Sequence, residues 1–479
     1  MFPEIKVLQD EIQLYNNIAE MGDHVGRLYA TLEIYPSPRI YWEFEVIGNE
    51  VNQKGKLPRT TPANPLIGYN FYIDQPYIAR DCSDYVTPLE LVSGIAGQAR
   101  YGEINNAIHK AVFYIPNARF QSRNLFGQQK IEKYLKTKKG DFNAGVEGRL
   151  IDTPLDDTWH VRLETYQNAL DWLDENKSNI GTKITTIGVL YTPMADDVKF
   201  VDYPTISLKE AQNYVDILCI LLSYVNGGYI GPIYIESRSH VSEPSEIAHQ
   251  SAIALAHRIT PLELLGRSWL AFDSDLESYL SCFSTLKRMQ NDSPWRETFG
   301  IILAWYFQAI QPENRQLSGK QWPIVANALG TALERLSYTI LVLEEEDSTT
   351  REKNEALFTT GDNKLFKKYW KDVLKKDKIS RTGKRLQLLL ERIGITLERG
   401  FWDVNEVKDF LEVRNEATHP KKGNVKEENI FYLLDRATQW VDETLLWRLG
   451  YSSTYWARTV DGWQSTQPRY DLNNRNPKW

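Results

Sequence analysis

The sequence predicts an α+β protein in which a β-rich N-terminal half is followed by an all-helical C-terminal half. Two observations carry that prediction: apolar residues alternate up to about Glu236, and they recur at helical spacing from about Pro261. A third marks the join, a stretch rich in Ser, Pro and charge from Ser237 to Glu246. At 479 residues the chain is too long for one ordinary core. Hydrophobic residues at 42% and aromatics at 12% exclude a mainly disordered chain.

The N-terminal strands follow in order. Arg27–Tyr35 and Tyr41–Ile47 tend to alternate, with Pro36, Pro38 and Gly48-Asn49 as turn signals. Lys110–Ile115 ends at Pro116-Asn117, Thr185–Tyr191 is a further strand, and Ile230–Ile235 follows the Gly227-Gly228 pair. One helix interrupts them. Ser207 is its N-cap, Glu210 completes a capping box, and apolar residues recur at helical spacing to Tyr224.

Beyond Pro261 the periodicity predicts helices over Leu262–Met289, Trp295–Ile310, Trp322–Leu343, Lys364–Lys376, Arg385–Ile393, Asp403–Thr418 and Glu427–Leu449. The expected organisation is a β-rich sensor or regulatory domain over 1–240, a helical connecting region over 241–316, a helical domain over 317–450 and an aromatic-rich tail over 451–479. Tyr455, Trp456, Trp463, Tyr470 and Trp479 make that tail costly to leave in water, so it is expected to pack on another surface.

A formal net charge of −7 argues against a surface that coats nucleic acid throughout, and confines any such role to a local basic site. Cys82, Cys219 and Cys282 form no CxxC pair, so a disulfide framework and a zinc ribbon are both excluded. The first residues lack the basic and apolar regions of a signal peptide, and no apolar run reaches the roughly 20 residues that span a bilayer. A reducing, cytoplasmic setting without membrane contact is expected. Phosphate-binding loops, HExxH, GxSxG and GxGxxG are absent, and the scattered histidines have no ligand spacing. No metal and no cofactor is implied.

One segment carries chemistry: Phe410-Leu-Glu-Val-Arg-Asn-Glu-Ala-Thr-His-Pro-Lys-Lys-Gly423. Asp403 and Glu406 read as a capping box that starts a helix, with Val404, Val407, Phe410, Leu411 and Ala417 on its apolar face. Asn415 and His419 lie four apart and share a face, and the long stem of Arg414 can bring its guanidinium round to them. Pro420 places His419 at or just beyond the last turn. Such a trio suits cleavage of an RNA phosphodiester without metal. Imidazole can act as general acid or base, guanidinium can hold phosphate oxygens, and an amide can orient the ring. One imidazole cannot easily serve both proton transfers, whereas two related by a two-fold axis can.

The Arg-Asn-x-x-x-His pattern formed by Arg414, Asn415 and His419, late in a C-terminal helical bundle, resembles the active-site motif of the HEPN superfamily. A β-rich half joined to such a module resembles the ApeA type of anti-phage HEPN protein. The resemblance implies a metal-independent endoribonuclease acting in abortive-infection defence, with transfer RNA as the expected target. It also implies a composite site in a homodimer or larger symmetric homo-oligomer, and an N-terminal domain that senses a phage-derived trigger. The catalytic residues would be Arg414, Asn415 and His419.

RNA contact is expected from Lys421 and Lys422 beside the motif, and from Lys364, Lys367, Lys368, Lys371 and Lys375, which fall along one face of a single predicted helix. A solvated helix face with Phe366, Tyr369 and Trp370 turned to the core explains the same lysines. Two competing classes remain at this level: a non-catalytic HEPN-like protein that binds RNA or a partner, and a carbohydrate- or peptide-binding sandwich carrying a helical dimeriser.

Overall fold

A computed structural model describes residues 9–21, 24–34, 37–47, 66–68, 71–73, 77–81, 91–118, 148–166, 181–193, 204–237, 251–266, 276–291, 293–315, 321–394, 404–419, 427–452, 454–456, 458 and 469–471. The chain divides into two units, Met1–Glu263 and Leu264–Trp479. The first is β-rich and the second helical. The first unit extends past residue 240, where the connecting region was expected to start, because one further strand at Ala252–Leu255 pairs back into its sheet.

The strands of the first unit are β1 Glu11–Met21, β2 His24–Glu33, β3 Arg39–Val46, β4 Leu66–Gly68, β5 Phe71–Ile73, β6 Tyr77–Asp81, β7 Leu91–Ala96, β8 Gln98–Tyr101, β9 Ala107–Ile108, β10 Lys110–Pro116, β11 Gly148–Pro154, β12 His160–Tyr166, β13 Ile184–Tyr191, β14 Ile206–Ser207, β15 Tyr234–Ser237 and β16 Ala252–Leu255. Among the described residues, all but β9 and β14 join one sheet in the order β11-β12-β13-β10-β15-β16-β8-β5-β4-β1-β2-β3-β7-β6. Neighbours run antiparallel throughout, as in Gly26 opposite Val46 and Val112 opposite Val189.

Alternation fixes which face is buried. In β3, Ile40, Trp42, Phe44 and Val46 are buried while the residues between them are partly open. Leu28, Ala30 and Leu32 of β2 and Phe71 of β5 join them in one core. Interior strand β10 is buried on both faces, and the ring of Phe113 occupies the space above Gly188 of β13 that a Cβ would need. Asn117 ends β10 with φ of +53°, a conformation Asn tolerates better than most residues.

Helix α1, Leu208–Asn226, begins with the expected capping box, in which Ser207 and Glu210 bond reciprocally, and ends at Gly227 with φ of +76°. The strand expected at Ile230–Ile235 instead spans Tyr234–Ser237, and the Ile230 backbone N–H is tied to the Ser223 hydroxyl.

The second unit contains α2 Leu276–Leu280, α3 Phe283–Asn291, α4 Ser293–Ile310, α5 Trp322–Tyr338, α6 Ser348–Phe358, α7 Lys364–Tyr369, α8 Lys371–Asp377, α9 Arg381–Arg392, α10 Val404–Thr418 and α11 Glu427–Leu449. The long helix expected over Leu262–Met289 is a 3₁₀ turn at Leu262–Leu264 followed by the separate α2 and α3. Helix α5 is central and contacts α4, α9, α10 and α11. Of the stripe that helical spacing predicts to be apolar packing surface, Trp322, Val325, Leu329, Leu333, Leu336, Ile340 and Leu343, the residues from Val325 to Ile340 are buried, whereas Trp322 is partly open and Leu343 is exposed. A widened π turn, Thr339–Leu343, continues α5. The Asn354 amide of α6 donates to the Leu341 carbonyl in that turn at 2.9 Å.

Among the described residues, two short strands follow the bundle, β17 Thr454–Trp456 and β18 Arg469–Asp471, and they pair antiparallel. Tyr455 is fully buried and Arg458 reaches a buried pair on the bundle: its Nε donates to Asp442 at 2.6 Å and its Nη2 to the Tyr306 hydroxyl at 2.7 Å. The tail therefore packs on the bundle at these residues, while Trp463 and Trp479 lie outside the described residues. No helix among the described residues is long and apolar enough to cross a membrane.

Candidate functional site

Helix α10 presents the Arg-Asn-x-x-x-His segment. Val407, Phe410, Leu411 and Val413 are buried and seat it in the bundle, with the Phe410 ring edge-on to Trp440 of α11 at 6.0 Å. Asp403, the expected N-cap, lies outside the described residues, and Glu406 ties α10 to α11 by accepting from the Tyr432 hydroxyl at 2.6 Å and from Arg436 at 3.4 Å. The helix ends at Thr418, and the His419 backbone N–H closes the last turn on the Asn415 carbonyl at 2.8 Å. His419 thus stands just past the helix, where Pro420 was expected to put it.

The three motif side chains are treated differently by the fold. Asn415 and His419 are exposed, and among the described residues neither side chain makes a hydrogen bond or ion pair. Arg414 is half-buried and turns inward. Its Nη1 donates to Glu334 Oε1 at 2.9 Å and its Nη2 to Oε2 at 3.2 Å, a two-point pairing with α5. The local carboxylates Asp409 and Glu412, five and two residues away, are not its partners.

Space for this arrangement comes from Gly330, one turn before Glu334. A Cβ built there would lie 2.4 Å from Arg414 Nε and 2.5 Å from its Cδ. The Thr418 hydroxyl donates to the Arg414 carbonyl at 2.8 Å and lies 3.2 Å from the Asn327 side chain of α5. Arg385 of α9 approaches the same carboxylate, with Nη1 3.9 Å from Glu334 Oε1. Its Nε and Nη2 donate to the Leu357 carbonyl at 3.1 and 2.6 Å, and its guanidinium lies 4.5 Å from the Phe358 ring centre. Burial lowers the pKa of Arg385, and the Glu334 carboxylate opposes that shift.

The expected single lysine-bearing helix is two short ones. Trp370 leaves helical geometry at φ of −125°, held by a 2.6 Å bond from its indole N–H to the Lys353 carbonyl and by burial. Lys364, Lys367 and Lys368 on α7 are therefore separated by a break from Lys371 and Lys375 on α8, and one straight face does not form. All five are exposed. Phe366 and Trp370 pack with Ala356 and Leu357 in a small core, so these aromatics serve the fold. Lys421 and Lys422 lie outside the described residues.

Glu334, Gly330 and Arg385 are absent from the sequence-based site. The spacing of Gly330 and Glu334 on one helix face is visible in the sequence, but Arg414 lies 80 residues beyond Glu334.

The fold and site together define a helical domain that carries a motif-bearing helix locked to a central helix by an arginine–glutamate pair. Residues 292–468 match the family model of the YopA C-terminal domain, so this part of the chain is similar to that domain. No curated protein and no solved structure matches the chain.

Proposed function

We propose that the protein is a metal-independent endoribonuclease whose site is formed by Arg414, Asn415 and His419. The observation that carries this reading is the arrangement on α10: Arg414 is oriented by Glu334, while Asn415 and His419 stand exposed at the end of the helix. A fixed cation can hold a phosphate as charge develops, and an open imidazole can reach the 2′-hydroxyl or the leaving 5′-oxygen. Since one imidazole is too few for both transfers, the active species is a homodimer or larger symmetric assembly with two such helix ends facing one another. The HEPN resemblance supplies transfer RNA as the target, anti-phage defence as the setting and the β-rich unit as the sensor of a phage-derived trigger.

The test is cleavage of RNA in EDTA by the wild-type chain and by His419→Ala, with the oligomeric state followed by sedimentation. Cleavage by wild type alone is expected. Equal cleavage by both, or activity only with added metal, would end this reading.

A non-catalytic RNA- or partner-binding role is favoured by one observation, the engagement of both terminal nitrogens of Arg414 by Glu334. Under that reading His419→Ala binds RNA as wild type does and neither form arrests growth when expressed.

A further inference from the structure

Two guanidinium groups meet one carboxylate at the junction of α5, α9 and α10. Glu334 Oε1 accepts from Arg414 Nη1 at 2.9 Å and has Arg385 Nη1 at 3.9 Å. The cluster therefore keeps one positive charge in excess. The neighbouring cation Arg381 does not alter that balance, because it pairs with Asp362 and donates to the Thr359 carbonyl.

Arg385 is held as a site residue would be. Its Nε and Nη2 are anchored on the Leu357 carbonyl and its plane is covered by Phe358, which leaves the Nη1 end directed at Glu334. Among the described residues Nη1 makes no hydrogen bond, and its ionic partner is Glu334. The side chain is only 17% exposed, against 35% for Glu334, so the anion is the more open member of the pair. A half-buried cation is screened less than a surface lysine. Arg414 spends one N–H of each terminal nitrogen on Glu334 and keeps the other, so both arginines have donors left.

We infer that Arg385 is a second phosphate-binding residue of this site, taking the phosphodiester of an RNA backbone together with Arg414, and that Glu334 positions both guanidinium groups. The inference deepens the nuclease reading and rests on it for the reaction, while its binding arm can be read without cleavage. Glu334 has two opposed effects. It orients Arg414, which aids chemistry, and it repels the incoming phosphate, which weakens binding.

The experiment uses the full chain with His419→Ala, so that RNA survives, and a fluorescein-labelled single-stranded RNA as probe. Adding Arg385→Gln should weaken binding about tenfold and reduce the slope of log affinity against log salt by about 0.7. Adding Glu334→Gln should tighten binding several-fold, whereas the same change in the chain with His419 intact should slow cleavage. A purely structural role for Glu334 would not move the two readouts in opposite directions. Unchanged binding and salt slope in a folded Arg385→Gln protein would overturn the inference, as would failure of Glu334→Gln to tighten binding. Should Arg385→Gln fail to fold, the Glu334→Gln pair of measurements decides. Absence of cleavage in wild type, with the binding changes as expected, would remove the nuclease reading and leave the phosphate site standing.

Discussion

The stem of Arg414 lies directly across Gly330, closer than any other residue type at position 330 would allow. Gly330 is buried within α5, where glycine is ordinarily unfavourable by about 1 kcal/mol relative to alanine. The sequence accepts that cost at a place where Arg414 must pass to reach Glu334, one turn further on.

Gly330→Ala should therefore destabilise the protein, against the trend for helix glycines. A Cβ inside contact distance of Nε and Cδ forces Arg414 to move, and overpacking of this kind costs about 1 to 3 kcal/mol. Denaturant unfolding checks it. A more stable variant would mean that Arg414 can leave Gly330 freely.

The residues after α11 should behave as part of the helical unit. Asp442 is fully buried and accepts from both Tyr306 and Arg458. Removing one partner of such a pair leaves a buried charge, at a cost of about 3 to 5 kcal/mol. Arg458→Ala should lower the unfolding midpoint clearly, with Asp442→Asn in the Arg458→Ala background recovering part of the loss. An unchanged midpoint for Arg458→Ala would place Arg458 in water.

Ser207→Ala should weaken the start of α1 by about 1 kcal/mol, the usual worth of an N-cap side chain. The Glu210 carboxyl is held below its ordinary value of 4.5, first by the Ser207 backbone N–H and then by its hydroxyl. A lowered folded-state value stabilises the fold above the unfolded value, and the gain is lost as pH falls through the lowered one. The stability difference between wild type and Glu210→Gln should thus shrink below pH 4.5. Thermal melts across pH 3 to 7 would show it.

Cys219 and Cys282 should resist alkylation in the native protein. Burial pushes the Cys282 thiol up to about 12, and burial together with the Asp216 charge raises Cys219 well above the ordinary thiol value. At pH 8 the thiolate of Cys282 is then a fraction on the order of one in 10⁴, and both groups are covered. Mass spectrometry after iodoacetamide treatment should find both modified only once the chain is unfolded.

What was legible in the sequence was local. The Ser207–Glu210 box spans four residues, the stripe on α5 repeats every turn, and the end of α10 at Thr418 follows from Pro420. Each signal acts between residues close in the chain, so composition and spacing carry it. Helix α6 has no such signal, because its exposed residues, Thr349 to Lys353, offer no apolar period. Its start is set by the Asp347 side chain, which accepts from the Thr350 backbone N–H.

By itself the sequence determined that a β-rich region precedes a helical one, and that Arg414, Asn415 and His419 share one helix end. Only the tertiary structure decided what Arg414 touches. Asp409 and Glu412 were near enough in sequence to pair with it, yet the burial of Phe410 and Val413 turns that side of α10 toward α5, where Gly330 leaves room and Glu334 supplies the carboxylate. Likewise, a break at Trp370 depends on the Lys353 carbonyl of another helix, and no spacing within α7 and α8 announces it. Helical periodicity reports which face is apolar, but the partner met by that face is chosen by packing between segments tens of residues apart.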